Sequence, residues 1–222
     1  MDWQMSNYMP RFDAWKWGLL DWNGRINPLA TMIKCSHEFT AVSQGYMHEL
    51  FEDAQGLQDL IRQEHRKAHG IINGIDTEVW DPVTDKMLYA NYSRENFEEG
   101  KEKNKKWLCE EYGLNPELPL FAFIGRFAGE KGADMLPDIV RRSISETEGA
   151  LNILILGSGN PQIENTLKQL QEEFHVNFAM DLGYNEALSH KIYAGADFLL
   201  MPSRVEPCGL NQMYAMRYGT IP

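Results

Sequence analysis

The chain has 222 residues, 43% of them hydrophobic and 24% charged, with a formal net charge of −11 and a pI near 5.0. This is globular composition, and its acidic balance disfavours nucleic acid and anionic membrane as partners, so an anionic ligand must meet a local cluster of cations. Three scattered cysteines (Cys35, Cys109 and Cys208) fit a reducing compartment and supply neither a disulfide framework nor a paired-cysteine zinc site.

In chain order, MDWQMSNYMP has no basic or apolar leader region, and no later stretch is apolar for long enough to span a membrane, so a cytoplasmic location is expected. The first sixty residues hold Trp3, Trp15, Trp17 and Trp22, a helical stretch near Pro28 to Cys35, a short strand EFTAVS and a further helix. One strand with flanking helices does not close a sheet of its own. Residues 1–66 are therefore expected to be the C-terminal tail of a preceding domain, and residues 67–222 a second domain.

HGIINGID (His69 to Asp76) reads as a strand with a turn that opens this second domain, and Asn91-Tyr92-Ser93 as a chance glycosylation match. Glu95 to Tyr112 is a highly charged helix with a mainly solvated face. LFAFIG (Leu120 to Gly125) is a buried strand, followed by a helix around Met135 to Ser145. LNILILG (Leu151 to Gly157) is a second, with a turn from Gly157 to Pro161 and a helix to about Phe174. VNFAMDLG is a third, with a helix near Glu186 to Ala194. DFLLM (Asp197 to Met201) is a fourth, with a helix after Cys208. Continuous apolar strands alternating with helices predict an α/β fold with a doubly wound parallel sheet. In such a sheet ligands bind beyond the carboxyl ends of the strands, after Gly125, Gly157, Gly183 and Met201.

Four constellations lie at that edge. In Gly125-Arg126-Phe127-Ala128-Gly129-Glu130-Lys131-Gly132, Arg126 ends a strand and Lys131 sits at or just before a helix N-terminus, so two cations and free amides can form a phosphate site. It lacks Walker A spacing. The same residues also suit a plain helix start with two solvated charges. Ser203 and Glu206 precede a helix in which Pro207 can take an early position, leaving the amides of Cys208, Gly209 and Leu210 to face a ligand. Spacing alone equally lets Glu206 serve only the helix dipole. Tyr184 can stack on a nucleobase or stand as a rim aromatic. Gly157-Ser158-Gly159 is half of a dinucleotide fingerprint. Two further features are set aside. His65 and His69 have metal-helix spacing but no intervening glutamate, and Cys208 reads as a packing thiol.

EPCGLNQMYAMRYGTIP, together with GRFAGEKG, LGSGNP, LGYNEALSHKIYAGADFLLMPSR and HGIINGIDTEVWDP, closely resembles the bacterial glycogen synthase and plant starch synthase family, from about Asn23-Gly24 onward. The resemblance implies two Rossmann-like domains facing a cleft, the GT-B architecture. It also implies retaining transfer of glucose from ADP-glucose, or UDP-glucose, to the non-reducing end of an α-1,4-glucan, with no metal or other cofactor. It assigns Arg126 and Lys131 to the distal phosphates, Glu206 to the donor glucose and its oxocarbenium-like transition state, the amides from Cys208 to Leu210 to sugar or phosphate oxygens, and Tyr184 to adenine. Asn73 and Asp76 would lie in the cleft. Related sucrose- and trehalose-type transferases carry a second glutamate eight positions after the first, where this chain has Tyr214.

The family's Lys-x-Gly-Gly-Leu loop and the histidine of its N-terminal domain have no counterpart, and the family continues past the position of Pro222. A fragment, inactive alone and prone to self-association, is therefore the expectation. The alternatives are a non-catalytic nucleotide- or glucan-binding module, or a sucrose- or trehalose-type transferase of the same fold.

Overall fold

The computed structural model describes residues 18–222. MDWQMSNYMP, Trp3, Trp15 and Trp17 lie outside the described residues. Two compact units divide the chain, one ending at Asn73 and one spanning Gly74–Pro222.

In the first unit, β1 (Asp21–Trp22) and β2 (Arg25–Ile26) form an antiparallel hairpin. Its turn is Asn23-Gly24, with φ of 53° and 74°. Asn-Gly suits such a turn because both positions need positive φ. Asn27 caps helix α1 (Pro28–Cys35), its side chain accepting from the Ala30 amide, with Pro28 at the first helical position where no donor is needed. Strand β3 (Phe39–Ala41) is followed by α2 (Gln44–Glu52) and α3 (Gln58–Gln63), and then pairs in parallel with β4 (Ala68–Gly70).

That pairing moves the expected boundary. β3 does close a small sheet, and its partner is part of the segment assigned from sequence to the second domain. The strand in HGIINGID ends at Gly70, and Ile71 and Ile72 are exposed rather than buried in a strand. Gly70 is required here, since a Cβ would lie 2.3 Å from the Gln44 Cα. His65 lies on a short 3-10 turn with Nδ1 against the Arg62 carbonyl, whereas His69 lies in β4 with Nε2 2.6 Å from Glu38 Oε2. The two share no helix.

The second unit carries a parallel sheet of β5 (Leu120–Phe127), β6 (Asn152–Gly159), β7 (Phe178–Leu182) and β8 (Phe198–Leu199), in the order β7-β6-β5-β8. The expected doubly wound α/β fold is present. Successive strand side chains point to opposite faces. Leu120, Ala122, Leu154 and Leu156 join one core with Leu108, Leu188, Ile192 and Tyr218. Phe123, Ile153 and Ile155 join the other with Leu136, Val140, Ile144, Leu167 and Leu170. Burial on both faces is why these strands read as unbroken apolar runs. Helices α5 (Leu136–Glu146) and α6 (Pro161–Glu173) pack on the second face; α4 (Phe97–Tyr112), α7 (Glu186–Gly195) and α8 (Leu210–Arg217) pack on the first. Beyond β8, Ile221 forms an isolated parallel bridge with Phe198.

The charged helix α4 is less solvated than its composition predicts. Gly100, Asn104, Leu108 and Cys109 are buried along one stripe. Lys101 reaches inward to the carbonyls of Ala194 (3.2 Å), Ala196 (2.9 Å) and Tyr218 (3.3 Å) and to Thr220 Oγ1 (2.8 Å). It thereby places a cation at the C-terminal ends of both α7 and α8, where the helix dipoles favour one.

Burial pulls the Lys101 amine down to about 8, only partly opposed by Asp197. Its folded value lies below its unfolded one, so between pH 8 and 10.5 the unfolded chain binds more protons and this group's contribution to stability rises with pH. Urea melts of the wild type and Lys101→Met at about pH 7 and about pH 9.5 should show the wild type gaining about 2 kcal/mol relative to the variant.

Candidate active site at the switch of strand order

β5 is the first strand of the sheet, with β6 on one side and β8 on the other, so the order of the strands reverses beside it. A crevice opens at such a switch point beyond the carboxyl ends. Arg126 lies near the end of β5 with its side chain 74% exposed. Lys131 lies in a 3-10 turn (Gly129–Lys131), followed by a second (Ala133–Met135), and α5 begins only at Leu136. Of the two placements expected for Lys131, at or just before a helix N-terminus, the first does not hold, since two 3-10 turns separate it from α5. The amides there are taken up by the turns, Lys131 and Ala133 donating to the Ala128 carbonyl and Gly132 to that of Gly129.

This loop is stitched to the one after β8. The Arg204 and Val205 amides both donate to the Glu130 carbonyl, at 2.9 and 3.2 Å. The Arg204 guanidinium clamps the Asp134 carboxylate with two bonds of 2.6 and 2.8 Å, holding that carboxyl below its ordinary value. Gly132 has φ +65°, and a Cβ there would stand 2.1 Å from the Pro202 carbonyl oxygen. The two loops meet closely because position 132 has no side chain.

The stitching sets Glu206 against Lys131. Lys131 Nζ donates to Glu206 Oε2 at 2.7 Å, and Ser203 Oγ donates to the same oxygen at 2.9 Å. The two charged side chains are 26% and 21% exposed. Pro207 does not open the helix as expected. α8 starts at Leu210, with Gly209 as its cap at φ +80°, a conformation open to glycine at little cost. Asn211 Nδ2 donates to the Ile124 carbonyl at 2.7 Å and ties α8 to the end of β5.

A cavity of about 500 Å³ is lined by Arg126, Lys131, Gly157 and Tyr184, and by Trp80 and Tyr214, among others. Gly157 and Gly159 lie within β6 rather than in a turn, which begins at the helix cap Asn160. A Cβ at Gly157 would lie 2.0 Å from the Gly125 carbonyl oxygen, so this glycine permits close strand packing as well as an open cavity wall. Tyr184 is 89% exposed at the rim, its hydroxyl 3.3 Å from Glu186 Oε2, which raises its pKa. Glu206 is bonded to the lining residue Lys131 but does not itself line the cavity. Cys208, Gly209 and Leu210 are not among its lining residues, nor are Asn73 and Asp76. Asp76 folds its own turn, accepting from the amides of Glu78 and Val79, and Asn73 is exposed.

Trp80 is the wall residue that sequence reasoning missed. Its ring stacks on His190 at 3.7 Å and on Tyr214 at 3.9 Å. The one signal available was its place within HGIINGIDTEVWDP, and nothing local marks that tryptophan as a cavity wall.

The cavity lining combines two cations, one of them paired with the Glu206 carboxylate, with the aromatic rings of Trp80, Tyr184, Tyr193 and Tyr214. It can hold a polyanion joined to a planar group. Residues 118–221 match a family model described as glycosyl transferases group 1. The chain is 54% identical over 215 residues to glycogen synthase from Flavobacterium johnsoniae, covering 97% of this chain and 46% of that protein. It is 41% identical over 205 residues to starch synthase 2 from Arabidopsis thaliana, covering 89% of this chain and 26% of that one. A solved structure, the catalytic domain of starch synthase IV from Arabidopsis thaliana bound to ADP and acarbose, superposes with a TM-score of 0.82 at 36% identity, covering 91% of this chain and 42% of that one. The chain thus spans less than half the length of these relatives. By sequence and by fold it is a homologue of the glycogen synthases and starch synthases.

Proposed function

We propose that this chain is the nucleotide-sugar side of a glucosyltransferase that moves glucose from ADP-glucose to the non-reducing end of an α-1,4-glucan, with retention at the anomeric carbon. The observation that carries the reading is the Lys131–Glu206 pair at the switch point, whose lysine lines the cavity. Arg126 and Lys131 bind the phosphates and stabilise the charge that develops on the departing nucleotide. They act as preorganised cations, and the reading requires no metal. Glu206, already accepting two hydrogen bonds, holds donor hydroxyls and faces the oxocarbenium-like centre. Tyr184 closes over the base from the rim, Gly157 lets the ligand approach the sheet, and the Cys208 to Leu210 amides meet sugar or phosphate oxygens. The printed ligands of the starch synthase IV neighbour, ADP and acarbose, support a nucleotide donor and a glucan acceptor.

Tyr214 separates this reading from a sucrose- or trehalose-type transferase. It stacks on Trp80 on the cavity wall, where a carboxylate would be set against aromatic faces. No helix among the described residues is long and apolar enough to cross a membrane, and a cytoplasmic setting is part of the proposal. Calorimetric titration with ADP-glucose, ADP and UDP tests it. ADP and ADP-glucose should bind at one site more tightly than UDP, and Glu206→Ala should weaken ADP-glucose more than ADP. A folded chain that binds none of the three sinks the donor-site reading.

A further inference from the structure

Beside Arg126, a lining residue of the cavity, stands a carboxylate that the proposed function does not use. Glu130 Oε1 accepts from Arg126 Nη2 at 2.7 Å, so the cation assigned to phosphate is held by a neighbour four residues along. Two neighbouring cations are occupied as well, the lining Lys131 by Glu206 and Arg204, on the adjoining loop, by Asp134. These pairs differ in kind. Arg204–Asp134 is a two-bond clamp between loops, and Lys131–Glu206 is half-buried with a hydroxyl attached. Arg126–Glu130 is a single contact whose partners are 74% and 43% exposed, the kind of pair that water and salt weaken readily. Glu186, itself a lining residue of the cavity, adds further negative charge.

Resting on the donor-site reading, we propose that Glu130 is a built-in competitor for the donor's phosphates, neutralising Arg126 while the site is empty and displaced from it when a diphosphate binds. A phosphate and a carboxylate present the same acceptor geometry to a guanidinium, so both cannot take the same donors in full. The displaced carboxylate stays tethered near the ligand, because the Glu130 backbone carbonyl is fixed by the Arg204 and Val205 amides. Like-charge repulsion then adds to the lost pairing, and both effects weaken retention of the nucleotide. The residue therefore sets affinity for the phosphate part of the ligand and leaves the base site untouched.

Glu130→Gln keeps the size and the backbone bonds and removes the charge. Calorimetry on the 222-residue chain should show ADP binding about three- to fivefold tighter in the variant at about 50 mM salt. The gain should largely vanish at about 0.5 M salt, where the screening length is about 4 Å. Adenosine, which lacks phosphate, should bind both proteins equally. A gain shared by adenosine would show a packing change instead and overturn the proposal. Equal or weaker ADP binding in the variant, with the wild type binding normally, overturns it alone. No ADP binding by either folded protein overturns the donor-site reading and this inference together.

Discussion

Lys131→Ala should weaken ADP binding by about 10- to 150-fold, the loss expected for one charge-assisted hydrogen bond. Two effects combine. The ligand loses a donor, and Glu206 loses the cation 2.7 Å away while keeping only the Ser203 hydroxyl. A carboxylate that is 21% exposed then faces incoming phosphates uncompensated. In a protein carrying the rest of the machinery, turnover should fall by about 10²- to 10³-fold, the usual cost of one preorganised group acting on transition-state charge. Lys131→Arg should restore part of the binding and little of the turnover, because a guanidinium does not occupy the position of a compact ammonium. Titration with ADP and single-turnover assays separate the two. Unchanged ADP affinity in Lys131→Ala would remove Lys131 from the phosphate site.

Asp85→Ala should destabilise the second unit by about 3–5 kcal/mol, a large share of the stability of an ordinary domain. Asp85 is 5% exposed, and its Oδ2 lies 2.6 Å from His190 Nδ1 and also accepts from the Tyr218 hydroxyl. Its other oxygen accepts from the Met87 amide at 2.8 Å. Burial, first, and then Asp85 raise the Tyr218 pKa far above the usual phenol range, so the hydroxyl remains a donor at any working pH.

Removing the carboxylate strands three donors at once. Among the described residues His190 Nε2 has no hydrogen-bond partner, so the ring would lose the carboxylate that anchors it through Nδ1. Trp80 rests on that ring and forms part of the cavity wall, so its fluorescence should change and ADP affinity should fall with stability. Asp85→Asn keeps one acceptor oxygen, which can still take the Met87 amide while its NH2 faces the Tyr218 hydroxyl, and should cost less. Urea midpoints of the two variants check the order. A loss below about 1 kcal/mol in Asp85→Ala would mean that water replaces the network.

The sequence by itself determined the sheet, its ligand-binding edge and much of the site. Apolar runs bounded by glycine imply doubly buried strands, and every right-ordered β–α unit delivers its carboxyl-end loop to the same edge. Arg126, Lys131, Gly157 and Tyr184 could therefore be placed together from local pattern alone, and the structure does line one cavity with them.

What the pattern could not supply was which loops touch. The contact between Lys131 and Glu206 spans 75 residues and follows from β8 settling beside β5. The anchoring of Asp85 to His190 spans 105, and it is what seats Trp80 against the cavity. The boundary after Asn73 depends on β4 choosing β3, and the inward reach of Lys101 depends on where two helices end. Periodicity records which face of an element is buried, whereas partner choice depends on strand order and on the few backbone positions, such as Gly132 and Gly157, that let chains approach. Those are properties of the assembled sheet, and only the tertiary structure decided them.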